Sequence, residues 1–100
     1  MPFNPLKQPV QIGGNTITTE YDSALQMDCK TIGQFVPRTN TIKIYPDMPD
    51  IQKTQTWLHE LNEAVNIIFC CEKLEHDHIE QLAQAYLQIL PQTGWEIAWT

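Results

Sequence analysis

The run Pro46-Asp47-Met48-Pro49-Asp50 splits this chain into two halves with different hydrophobic periods, and that break constrains the fold more than any other feature. Two prolines within four residues can continue neither a strand ladder nor a helix. Ahead of the break, β-branched and aromatic residues recur every second position; behind it, apolar residues recur every three or four. The expected fold class is therefore α+β: a small, mostly antiparallel sheet of three or four strands, covered on one face by two helices. An all-helical chain is incompatible with residues 10–45.

Within the first half, Val10-Gln11-Ile12 and Thr16-Ile17-Thr18-Thr19-Glu20-Tyr21 flank the turn triplet Gly13-Gly14-Asn15, which predicts a β-hairpin. Gly33-Gln34-Phe35-Val36 and Thr41-Ile42-Lys43-Ile44-Tyr45 read as two short strands around Pro37 to Asn40, with Ile42 and Ile44 on one face. Residues 22–30 carry no clear pattern. Pro2, Pro5 and Pro9 forbid regular pairing over residues 1–9 and predict an N-terminal arm or loose edge segment.

In the second half, Asp50 is placed to cap a helix from Ile51 to about Cys71. At 100° per residue, Ile51, Thr54, Leu58, Leu61, Ala64, Val65, Ile68 and Phe69 share one side, while His59, Glu63, Asn66 and Cys70 share the other. A second helix, about Asp77 to Leu90, carries Ile79, Leu82, Ala83, Tyr86, Ile89 and Leu90 on its apolar face and is expected to stop at Pro91. The tail holds Trp95 and Trp99, expected to cover an open edge or a helix. Trp57 is expected in the core.

Composition bounds the function. One hundred residues predict a single domain spanning 1–100. A formal charge of -6 argues against a phosphate-neutralising surface, so nucleic acid is not an expected partner. No apolar run approaches the roughly 20 residues that span a bilayer, so no membrane segment is expected. The N-terminal Met1-Pro2-Phe3-Asn4-Pro5-Leu6-Lys7 lacks the layout of a secretory signal, which predicts a cytosolic location. Cys29, Cys70 and Cys71 are odd in number, so no disulfide framework is expected and all three are expected as buried small hydrophobes.

One segment could carry chemistry: Thr56-Trp57-Leu58-His59-Glu60-Leu61-Asn62-Glu63-Ala64-Val65. In a zinc peptidase, H-E-x-x-H on a helix sets two imidazoles one turn apart to share one ion, and the intervening Glu takes a proton from the attacking water. This chain reads H-E-x-x-E. Positions 59 and 63 remain neighbours on the helix surface, but the second would offer a carboxylate oxygen. On the following helix, His76 and Glu80 repeat the same i, i+4 spacing.

The ordered set of Gly33, the strand Ile42-Lys43-Ile44, the His59-to-Val65 helix and the acidic helix Glu80-Gln81-Leu82-Ala83-Gln84-Ala85-Tyr86 resembles a known group. These are the small phage- and prophage-encoded zincin-like proteins, related to minimal gluzincins and more distantly to the metallopeptidase domain linked to phage repressor cleavage. The resemblance covers roughly residues 10–90. It implies a zincin-like domain of a bacterial host's cytoplasm that holds zinc, with His59 as first ligand, Glu60 as general base and Glu80 as third ligand. The group's second histidine matches Glu63, an anionic donor that weakens the Lewis acidity of the ion. If the two helices lie antiparallel, His76 is placed to restore the missing imidazole.

Two functions stay open on the sequence. One is a minimal zinc peptidase acting on protein or peptide through His59, Glu63, Glu80, His76 and Glu60. The other is an acidic binding module with a decayed site, docking on a host or phage protein. In that case His59 and Glu60 are an exposed polar stripe, and Glu75 to His78 a solvated helix start. A decoy that mimics nucleic acid is disfavoured because the acids are dispersed along the chain.

Overall fold

Four strands form one mixed sheet in the computed structural model, which describes residues 2–28 and 30–100. In chain order the elements are β1 (Val10–Ile12), β2 (Asn15–Tyr21), α1 (Leu25–Asp28), β3 (Gly33–Val36), β4 (Thr41–Ile44), α2 (Asp50–Phe69) and α3 (His76–Gln92). The class is α+β, as the split in periodicity implies. The expected hairpin forms, with Val10 opposite Ile17 and Ile12 opposite Asn15. Gly13 and Gly14 both adopt positive φ, at 54° and 83°, which is what a two-residue turn matched to strand twist requires.

The spatial order is β1-β2-β4-β3. β4 pairs antiparallel with β3 and parallel with β2, so β4 lies inside the sheet and β3 becomes an edge. Alternation in β2 and β4 sends Ile17, Thr19, Ile42 and Ile44 inward, all buried. Trp57 of α2 lies on this face, and its indole N–H donates to the buried Thr19 hydroxyl at 2.9 Å.

α2 rests on β3 and β4, and α3 packs chiefly on α2. The two helices run antiparallel: Asn66 meets Leu74, Asn62 meets Ile79, and Gln55 meets Glu80. Asp50 is the first residue of α2 rather than its cap. The cap position falls to Pro49 with no side-chain hydrogen bond, and Asp50 instead pairs with Lys53 at 3.7 Å. α3 continues through Pro91 to Gln92 instead of stopping at Leu90. The expected apolar stripe of α2 is also displaced. Ile51 and Phe69 at its ends are exposed, whereas Asn66, assigned to the opposite side, is buried.

The two termini pair with each other in a short parallel bridge between Phe3 and Ile97. The Phe3 N–H donates to the Glu96 carbonyl and the Ala98 N–H to the Phe3 carbonyl, both at 2.8 Å. Trp99 is buried against Thr54, while Trp95 stays exposed. Cys70 is half-buried and Cys71 exposed, so the expectation of buried thiols fails at both, which lie just past the end of α2. Cys29 lies outside the described residues. No helix among the described residues is long and apolar enough to cross a membrane.

Candidate metal centre

Gln55, His59, Asn62 and Asn66 fall at i, i+4, i+7 and i+11 along α2, one continuous polar stripe. An isolated amphipathic helix would turn such a stripe to water. Here it is the seam with α3. Gln55 donates to Glu80 Oε1 at 3.1 Å and Asn62 to the Ile79 carbonyl at 3.5 Å. Asn66 donates to the Leu74 carbonyl at 3.2 Å and accepts from the Leu74 N–H at 2.9 Å. These bonds fix where α3 begins and which of its side chains reach α2.

His59 sits at the centre of the seam with a side chain only 14% exposed. Its Nδ1 lies 2.7 Å from Glu80 Oε2, and its ring centroid lies 4.9 Å from that of His76 in an edge-on arrangement. One donor atom from each of His59, His76 and Glu80 lies within 4.8 Å of the others. These three side chains therefore converge from two helices. Glu63 stands apart: its Oε1 is 3.8 Å from His59 Nε2, and it does not line the cavity into which the other three open.

That cavity, about 280 Å³, is bounded by Thr31, Ile32 and Gly33 from the sheet edge, by Gln52, Gln55, Thr56, His59 and Glu60 from α2, and by His76 and Glu80 from α3. Gly33 explains how β3 comes so near. A Cβ there would collide with the Thr56 methyl and press on Glu60, whose Oε2 would be 3.2 Å away. The close approach lets the Phe35 main chain hydrogen-bond to the Glu60 carboxylate.

No family model, curated protein or solved structure matches this chain. What the centre can do is therefore read from its own donors. Burial pushes the Glu60 carboxyl up to about 7; His59 charge opposes the rise, Glu63 and Glu80 add to it, and the Phe35 hydrogen bond restrains it. A carboxyl with that value passes between proton acceptor and donor near neutral pH. Desolvation also acts to raise the Glu80 carboxyl, but hydrogen bonds from Gln55 and His59, the His59 charge and a Gln84 hydrogen bond leave it below its ordinary value. Glu80 is thus kept as an anion.

Two imidazoles and one carboxylate make a donor set that suits zinc, which in catalytic sites takes three protein ligands of this mixed type. Sequence reasoning named all three and Glu60, but not Gln55. Spacing carries the signal for that residue: Gln55 precedes His59 by one helical turn, so any partner helix that reaches His59 also meets Gln55.

Proposed function

We propose that this chain is a zincin-like metal-dependent hydrolase of peptide bonds, with His59, His76 and Glu80 as zinc ligands and Glu60 as general base. The observation that carries the reading is the convergence of those three donors on a cavity that Glu60 also lines. Bound there, zinc would supply a Lewis acid that brings the pKa of water toward about 7. Glu60 takes a proton from the attacking water on its carboxylate and returns it to the leaving amine, a role that suits a carboxyl titrating near neutrality. Gln55 holds Glu80 Oε1, which leaves Oε2 facing His59. His76 stands where it can substitute for the histidine that the resemblance expects at position 63, and Glu63 is left as a neighbour of His59 Nε2.

The test is hydrolysis of a fluorogenic peptide library by protein purified without chelator or histidine tag. The proposal expects zinc-dependent turnover, with Glu60→Gln losing about 100-fold or more in kcat while still binding zinc. Zinc binding with no turnover on any peptide would favour the second reading, an acidic module that binds a host or phage protein.

A further inference from the structure

A cavity larger than that of the metal centre, about 510 Å³, opens where the first turn of α2 faces the last turns of α3, with Ile51, Leu87, Leu90, Pro91, Trp95 and Glu96 among its walls. The two cavities abut: Gln52 borders the metal centre, and its chain neighbour Ile51 borders the larger space. On α3, Glu80, Gln84, Leu87 and Pro91 fall at i, i+4, i+7 and i+11, a single stripe. It leads from the ligand Glu80, through the Gln84 side chain bonded to it, into the larger cavity.

The other way out of the metal centre, along the β3 edge, is already taken up. The Tyr45 N–H donates to the Ile32 carbonyl at 2.9 Å, so alternation turns the main chain of Gly33 and Phe35 to the open side. There the Thr31 hydroxyl donates to the Gly33 carbonyl at 2.9 Å and accepts from the Gly33 N–H at 3.4 Å, while the Phe35 main chain is bonded to Glu60. An extended peptide therefore finds few free groups to pair with on that edge.

We infer that a peptide substrate runs along the α2–α3 seam and seats a bulky apolar side chain, about three residues from the scissile bond, in the 510 Å³ cavity. The inference rests on the hydrolase reading of the metal centre and adds its specificity. From Glu80 to Leu87 the helix rises about 10 Å, the reach of about three residues of extended peptide. Ile51 and Trp95 are 68% and 61% exposed at the cavity rim, apolar surface that such a side chain covers. Among the described residues no lysine or arginine borders either cavity, and Glu96 borders the larger one, so an acidic side chain is rejected there.

Capped decapeptides of alanine and serine, with Phe, Ala or Asp at one internal position, test it on zinc-loaded protein. Mass spectrometry of the products should place the cleaved bond about three residues from Phe, always on the same side. The Phe peptide should exceed the Asp peptide at least about tenfold in kcat/KM, with the difference carried by KM. Ile51→Glu, at an exposed position, should keep the circular dichroism melt and erase the advantage of Phe over Ala. Met27→Glu, 85% exposed and on α1, should retain it. Cleavage without a preference for Phe, or a preference that survives Ile51→Glu, would overturn the inference and leave the hydrolase reading standing. Calorimetry on zinc-loaded Glu60→Gln separates the two. Tighter binding of the Phe peptide than of the Ala peptide, with no turnover of either by wild type, would keep the seam as the peptide groove and refute hydrolysis. Equal binding of the two, or none, would overturn the inference whatever the turnover.

Discussion

Replacing Asn66 with alanine removes both hydrogen bonds that tie α2 to Leu74, two residues before α3 begins. The side chain is 5% exposed, and its amide serves the Leu74 carbonyl at 3.2 Å and the Leu74 N–H at 2.9 Å. Leaving a buried donor or acceptor unpaired costs about 1–3 kcal/mol each. Leu74 is half-buried, so one of its two groups can regain water. The expected loss is therefore about 1–3 kcal/mol, a sizeable share of the roughly 5–15 kcal/mol that holds a domain of this size folded. At about 4–8 °C per kcal/mol, the melting temperature should fall by ~4–24 °C. Urea titration followed by circular dichroism measures the first quantity and a thermal melt the second, with an unchanged urea slope showing that the unfolded state is unaffected. Asn66→Asp should also destabilise, since it keeps the acceptor for Leu74 N–H but turns a second oxygen toward the Leu74 carbonyl. A loss under about 0.5 kcal/mol for Asn66→Ala would match an ordinary surface site and refute the reading of the polar stripe as an interhelical seam.

Gly33→Ala should cost about 1–3 kcal/mol, because the added methyl meets Thr56 and Glu60 where β3 approaches α2; chemical denaturation with an unchanged melt would contradict that packing. Stability of the metal-free protein should also depend on Glu60 protonation. The folded carboxyl titrates at about 7 against 4.5 unfolded, so its contribution is complete below pH 4.5 and is lost as pH rises through 7. Glu80 runs the other way, since its lowered value contributes above the ordinary carboxylate range and is lost on acidification. Urea midpoints in chelator at about pH 5 and about pH 8 should therefore converge in Glu60→Gln relative to wild type, and an unaltered difference would show that Glu60 ionises freely.

The strands and both long helices were legible because each follows one dominant period: Ile42 and Ile44 alternate, and the α2 apolar residues recur by helical turns. The polar side of α2 is hidden from a sequence reading for a physical reason. Periodicity separates polar from apolar faces but cannot tell water from a second polar helix, so Asn66 read as exposed although it is buried against Leu74. Helix ends were lost for a related reason. Pro91 reads as the stop of a helix ending at Leu90, yet α3 runs two residues further, to Gln92. In the site, the spacing of His59 with Glu60 and of His76 with Glu80 was readable in one dimension. That His76 rather than Glu63 joins Glu80 and His59 was not, because it depends on the antiparallel seam that Gln55, Asn62 and Asn66 set.

Zinc titration by calorimetry on wild type, His76→Ala and Glu63→Ala tests the proposed ligand set most directly. The proposal predicts a single zinc ion per wild-type chain, near-complete loss in His76→Ala, and retention in Glu63→Ala. Binding that survives His76→Ala but disappears in Glu63→Ala, or no binding by the wild-type chain, would contradict it.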